Sequence, residues 1–267
     1  MKPLFWHVPH ASTRLPRAFR GDFRVPRAVL QQEQLRLTDW YADELYLPGA
    51  RRGEMVRADF SRLVVDVERF AEDARERCSA VGMGATYLRT TQGEELRRLT
   101  KVRRAELLRT FYRPHHARLD TAARVRLERF GRCLLIDAHT FPAEPLPTQV
   151  DFRAPPEIGL GTEGVHTSPE LRRLAEDYFR QRGFTVGVDR PFSGSLVPNL
   201  FFGRDSRVQS LMVEVRRDLY MDEATGAKHA GFRRVQAVLA GFGRVCQQFS
   251  RSGTCAAWAK WPTMPAY

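Results

Sequence analysis

The sequence predicts an α/β fold: a three-layer sandwich in which helices cover both faces of a mostly parallel central sheet. Three observations predict it. Five short apolar runs are nearly continuous in Val, Leu and Ile, which is how strands buried on both faces read. Longer stretches with helical periodicity separate those runs. Strands that alternate with helices in this way build parallel sheets covered by the helices.

In chain order, the first run is Leu4–Pro9. Pro26–Leu45 follows as a helix, with Pro26 suited to the first turn and Val29, Leu30, Leu37, Tyr41 and Leu45 on one face. The second run is Leu63–Val67. Glu94–Arg109 and Pro114–Phe130 read as two helices broken at Pro114. Cys133–Ala138 is the third run. Ser168 then caps a helix that opens on Pro169-Glu170 and closes at Gly183. Phe184–Val188 and Ser210–Val215 are the last two runs, and Gly226–Phe249 is a long final helix. One domain over 1–267 is the simplest division, with 252–267 as an irregular C-terminal tail.

With 267 residues and 43% of them hydrophobic, the chain can build a substantial core. No apolar run approaches the ~20 residues that cross a bilayer. The opening Met-Lys-Pro-Leu-Phe-Trp-His is too short an apolar stretch for a signal peptide, so neither membrane spanning nor secretion is expected. Cys78, Cys133, Cys246 and Cys255 form no CxxC pair, which points to reduced, mostly buried thiols and excludes a cysteine-rich zinc site. Lys and Arg number 43 against 31 Asp and Glu, a formal charge of +12. Most of the basic residues are arginines scattered along the helices. The densest group, Arg97, Arg98, Lys101, Arg103 and Arg104, reads as one solvated helix surface. Without a nucleic-acid motif, this charge fits a small acidic substrate, whose encounter a positive field speeds, better than a nucleic-acid partner. No motif dictates an oligomeric state.

Function in such folds collects at the carboxyl ends of the strands. His10 follows the first run, Glu68 and Arg69 the second, and His139 the third. Ser193-Gly194-Ser195 follows the fourth, and the fifth holds Glu214 with Arg216 and Arg217 after it. Two histidines, a carboxylate and several arginines on one rim are the inventory of a metallohydrolase acting on an acidic substrate. His10, held behind Pro9, is a nitrogen ligand at a rigid strand end, the alternative being an exposed loop histidine. Asp137 lies two residues before His139, on the same strand face, where it can orient a ligand imidazole; a structural hydrogen-bonded pair is the alternative. For a third ligand, Asp39 sits inside the first helix, facing either the site or solvent, and His116 stands at a helix start after Pro114. Glu214 is a lone carboxylate in an apolar strand and needs a reason to be there. General-base duty is one, and a buried pair with an arginine is the other.

The ordered series Val-Pro-His-Ala-Ser, Leu-Thr-Asp-Trp-Tyr-Ala-Asp-Glu-Leu, Arg-Leu-Val-Val-Asp-Val-Glu-Arg-Phe, Tyr-Arg-Pro-His-His, Ile-Asp-Ala-His-Thr-Phe, Pro-Phe-Ser-Gly-Ser and Val-Glu-Val-Arg-Arg-Asp-Leu-Tyr, spanning Val8 to Tyr220, resembles the N-formylglutamate amidohydrolase family. The resemblance implies the phosphorylase/hydrolase-like fold of the zinc exopeptidases. It also implies a cytoplasmic, zinc-dependent enzyme of histidine breakdown that releases formate from N-formyl-L-glutamate or a similar N-acyl amino acid. By the same likeness His10 and His139 match two Zn2+ ligands. Arg69 matches the arginine that binds a substrate carboxylate, and Glu214 the catalytic glutamate. Thr13 stands where the carboxypeptidases place a ligand glutamate, which throws the third ligand onto Asp39 or His116. Arg216 and Arg217 are candidates for a second substrate carboxylate, and Ser193 and Ser195 could offer donors to substrate. A carboxypeptidase-type peptidase acting on a larger N-acyl or peptide substrate, a basic nucleic-acid-binding protein and a metal-free regulatory domain are the competing expectations.

Overall fold

The computed structural model describes residues 1–47, 53–146 and 154–252. The expectations for Cys255 and for the tail beyond 252 lie outside them. Among the described residues, six strands form one sheet: β1 (Leu4–Val8), β2 (Met55–Arg57), β3 (Cys133–Phe141), β4 (Ile158–Gly161), β5 (Val186–Val188) and β6 (Val208–Arg216). Their order is β2-β1-β3-β6-β4-β5, and every neighbouring pair is parallel except β4 with β6. The helices are α1 (Arg27–Leu37), α2 (Ala42–Tyr46), α3 (Lys101–Leu107), α4 (Arg113–Phe130), α5 (Pro169–Arg180) and α6 (Gly231–Ser252). None is long and apolar enough to cross a membrane.

Alternation along the central strands builds the layers. Leu4, Trp6 and Val8 of β1, Leu134, Ile136 and Ala138 of β3, and Leu211, Val213 and Val215 of β6 share one face. They pack there with Leu45, Tyr46, Phe179 and Phe242 from α2, α5 and α6. On the opposite face Phe5, Cys133, Leu135 and Val208 pack under Leu119 and Ala123 of α4. Each such large side chain contributes about 1.5–3 kcal/mol by leaving water. The α4 face is apolar only over the first half of each strand. Toward the carboxyl ends it turns polar, with His7, Asp137, His139, Ser210 and Glu214 all buried. The site is built on that change.

Five expectations are corrected. Leu63–Val67 is not a strand. Its residues lie in turns and irregular chain, with Leu63, Val64, Val65 and Val67 buried among loops and α3, so the apolar run marks a covered loop and not a sheet rung. The helix expected over Pro26–Leu45 breaks after Leu37: Thr38 is extended and Tyr41 has φ 62°, so Asp39 sits in the connection between α1 and α2. The helix expected from Glu94 begins only at Lys101, where the Thr100 hydroxyl caps it. Instead of breaking at Pro114, the chain passes from α3 through a π turn at Leu108–Tyr112 straight into α4, with Pro114 tolerated in its first turn. Arg97, expected on a solvated surface, is buried and donates to the carbonyls of Tyr87 and Val64. Ser168 caps α5 as the sequence indicates. Cys78, Cys133 and Cys246 are free thiols.

Candidate active site

His10 stands two residues past β1, and its carbonyl accepts the Asp39 N–H at 3.0 Å. That bond ties the α1–α2 connection to the strand end and brings Asp39 beside a residue 29 positions earlier in the chain. His139 arrives on β3. His10, Asp39 and His139 are all buried, with one potential ligand atom from each lying within 4.8 Å of the others. Asp39 Oδ2 is 3.0 Å from His139 Nδ1 and 3.4 Å from His10 Nδ1. Its other oxygen faces the buried guanidinium of Arg217 at 3.3 Å. Arg217 also donates to Thr140 Oγ1 and to the carbonyl of Arg36, so it fixes the Asp39 carboxylate with Oδ2 turned toward the histidines.

Each histidine has a carboxylate behind it. His10 Nε2 donates to Asp66 Oδ1 at 2.8 Å, because an ionised carboxylate can only accept. That leaves His10 Nδ1 as a bare acceptor, buried and without a hydrogen-bond partner. His139 Nε2 lies 3.1 Å from Asp137 Oδ1. Two imidazoles backed by carboxylates, together with one carboxylate in front, form the donor set that catalytic zinc takes, and the bare buried nitrogen is the feature a cation would satisfy. The residues fit a divalent ion.

Asp66 is itself held by four donors. Arg62 Nε and Nη2 reach its Oδ2 at 3.1 and 2.7 Å, the Tyr87 hydroxyl reaches the same oxygen at 2.6 Å, and the Glu68 N–H reaches Oδ1 at 3.0 Å. Burial alone would raise its pKa, but Arg62 and His10 overcome that and keep the carboxyl well below its usual range. Asp39 behaves likewise: burial opposes its charge, and the adjacent His10 and His139 imidazoles hold it low. Burial would also neutralise His139, yet Asp137 and Asp39 raise it well above the ordinary histidine value in the metal-free protein.

Glu214 is the register partner of His139 across β3 and β6. It is buried, Oε2 has no hydrogen-bond partner, and among the described residues no arginine pairs with it at ion-pair distance. Burial pushes its pKa up to about 8, with nearby Asp39 adding to the rise and His139 and Arg217 opposing it. On the neighbouring antiparallel strand its rung partner is Gly159. A Cβ there would stand 3.2 Å from Glu214 Cβ and 3.3 Å from the Arg190 carbonyl, so glycine lets the segment after β5 close over the base.

The remaining candidates divide. His116 is spent: Nε2 donates to the Val67 carbonyl at 2.9 Å and Nδ1 faces the Asn199 amide at 3.1 Å, leaving no nitrogen for a metal. Arg69 is partly exposed, with ion pairs of 3.7 Å from Nε to Asp66 and from Nη1 to Glu76 that are too long for hydrogen bonds, and its buried Nε has no hydrogen-bond partner. Both edges of the Arg216 guanidinium are engaged, by Asp218 and the Pro155 carbonyl. Ser195 and Ser210 share a hydroxyl bond of 2.6 Å, and Ser210 donates onward to the Leu196 carbonyl, so the Ser195 proton points into the fold. Ser193 is exposed. Asp66, Arg62 and Tyr87 join the site without having been among the candidates read from the sequence. The signal for Asp66 was present: a lone carboxylate within Val64-Val65-Asp66-Val67 is the same anomaly that drew attention to Glu214.

The chain is similar in sequence and in fold to known proteins. The chain is 27% identical over 228 residues to an N-formylglutamate deformylase of Pseudomonas putida, covering 83% of this chain and 82% of the relative. A crystal structure of N-formylglutamate amidohydrolase from Ralstonia eutropha superposes with a TM-score of 0.80 at 25% identity over 95% of each chain. An Agrobacterium tumefaciens gene product shares the fold, with a TM-score of 0.59 at 19% identity over 93% of this chain and 89% of its own. Residues 2–221 match the family model of N-formylglutamate amidohydrolase, and this chain belongs to that family.

Proposed function

We propose that the protein hydrolyses the formamide bond of N-formyl-L-glutamate, or of a closely similar N-acyl amino acid, to give formate and the free amino acid. The observation that carries this reading is the His10–Asp39–His139 cluster with Glu214 on the rung beside His139. His10 Nδ1, His139 Nδ1 and Asp39 Oδ2 would hold a divalent cation, Zn2+ by the nature of the donor set. Bound there, the ion supplies Lewis acidity, polarising the formyl oxygen and acidifying water.

The other roles belong to side chains. Glu214, whose proton exchanges near neutral pH, takes a proton from the attacking water. As the C–N bond breaks it returns that proton to the leaving nitrogen, so formic acid and a neutral amine form, and the acid's proton passes to the amine to leave formate and an ammonium group. Arg69, whose ion pairs with Asp66 and Glu76 are long at 3.7 Å, binds a substrate carboxylate as a planar guanidinium does well. Asp66 and Asp137 keep the two imidazoles in one tautomer and one orientation. On this reading the enzyme works in the cytoplasm, in histidine breakdown, on a small acidic substrate.

Formate release from N-formyl-L-glutamate, compared with N-acetyl-L-glutamate, N-formylglycine and a glutamyl dipeptide, together with metal analysis of the purified protein, tests the reading. One zinc per chain and preferred release from N-formyl-L-glutamate are expected. Turnover of the dipeptide alone would favour the peptidase alternative.

A further inference from the structure

Directly behind His139 lies a second pair of histidines that the reaction does not use. His7, on β1, is fully buried, and His115, on α4, is 2% exposed. His7 Nδ1 stands 2.9 Å from Asp137 Oδ1 and 3.0 Å from Glu68 Oε1, and His7 Nε2 stands 2.8 Å from His115 Nε2. Asp137 Oδ1 is the atom that lies 3.1 Å from His139 Nε2, while Asp137 Oδ2 accepts the Leu196 N–H at 3.0 Å. His115 comes to this position on the α4 face that also buries Leu119 and Ala123, just beyond the π turn at Leu108–Tyr112.

We propose that His7, locked by His115, is a positioning residue for the metal ligand His139, acting through Asp137. The proposal rests on the metal-site reading above. Its chemistry follows from donor counting. The Asp137 carboxylate only accepts, so the nitrogen bonded to it, His7 Nδ1, carries hydrogen. The opposite nitrogen meets His115 Nε2, so a ring flip that turned a carbon toward Asp137 would also break the imidazole–imidazole contact. The His7 ring therefore has one orientation, and Asp137 Oδ1 has one place. That oxygen in turn pairs by charge with His139 Nε2 at 3.1 Å, on the side of the ring opposite the Nδ1 that faces Asp39 at 3.0 Å. One rung below, the same face is closed by Phe5 and Leu135, so packing alone calls for an apolar residue where His7 sits.

The test is zinc affinity by chelator competition, with the melting temperature of the metal-free protein measured alongside. Asparagine places its amide nitrogen near the Nδ1 position and glutamine near the Nε2 position. His7→Asn is expected to hold zinc within about threefold of the native protein, and His7→Gln to loosen it about 10–100-fold, the usual effect of losing a ligand's supporting partner. The metal-free melting temperatures of the two variants should be alike. Should His7→Gln fail to fold, His115→Phe, which releases the ring without touching the carboxylates, is expected to loosen zinc about three- to tenfold. Native-like affinity in His7→Gln would overturn the proposal alone. So would equal losses in both His7 variants that follow their melting temperatures, or a second zinc per chain that both variants lose. Absence of stoichiometric zinc from the native protein would overturn the site reading together with the proposal.

Discussion

His139 and Glu214 occupy one rung of the β3–β6 ladder, side by side on the polar half of the α4 face. The Tyr46 hydroxyl, on the opposite side of the sheet, lies 2.9 Å from the His139 carbonyl and 2.7 Å from that of Val213, tying the two strands at this level. Because both strands are buried along their length, the spacing of ligand and base is set by the sheet and not by a loop. Catalytic groups on rigid elements keep the near-ångström placement that a positioned water requires.

The ligand set makes the first prediction. His10→Ala, His139→Ala and Asp39→Asn should each lose most of the bound zinc and abolish formate release. His116→Ala should keep its zinc, since both His116 nitrogens are already engaged by Val67 and Asn199. Zinc analysis after dialysis reads the outcome. Full occupancy in Asp39→Asn with loss in His116→Ala would exchange the two assignments.

Substrate charge gives the second. A hydrogen bond to a charged group is worth about 1.5–3 kcal/mol, so Arg69→Ala should raise KM for an acidic substrate by roughly 10–100-fold. A neutral N-formyl amide should be much less affected. Arg216→Ala should change KM less than about threefold, because Asp218 and Pro155 already take both edges of that guanidinium. Equal losses for acidic and neutral substrates in Arg69→Ala would make it a structural partner of Asp66.

The third prediction concerns the stability of the metal-free protein. Burial raises the Glu214 pKa from an ordinary 4.5 to about 8, so the native state keeps this proton after the unfolded chain has lost it. The contribution of Glu214 is then full below about pH 4.5 and declines as pH rises toward 8. Glu214→Gln carries no such term. In urea unfolding the variant should therefore gain on the native protein between pH 5 and pH 8, by on the order of 1 kcal/mol or more. Parallel curves would show that Glu214 is not held protonated.

Much of this architecture was legible in the sequence, for identifiable reasons. β1, β3 and β6 are long apolar runs buried on both faces, and their carboxyl ends carry His10, His139 and Glu214 into one neighbourhood. β2 and β4 were not legible. Three residues, Met55–Arg57, and a glycine-rich four, Ile158–Gly161, give no period to detect. Leu63–Val67 misled because burial under loops leaves the same composition as burial in a sheet. Asp39 read as helical because the 3.6-residue pattern runs on across Thr38, whereas the Asp39 N–H bond to His10 that breaks the helix is a long-range contact. The roles of Arg62, Tyr87 and Arg217 are of that same long-range kind, set by which carboxylate each one reaches across the fold.

Glu214→Gln tests the central claim most directly. The substitution keeps the shape of the side chain, touches no ligand atom and removes only basicity. Formate release by the zinc-loaded variant should fall by about 10²–10⁴ in kcat, the contribution of a general base, with zinc content unchanged. A folded, zinc-loaded variant that releases formate at the native rate would contradict the account.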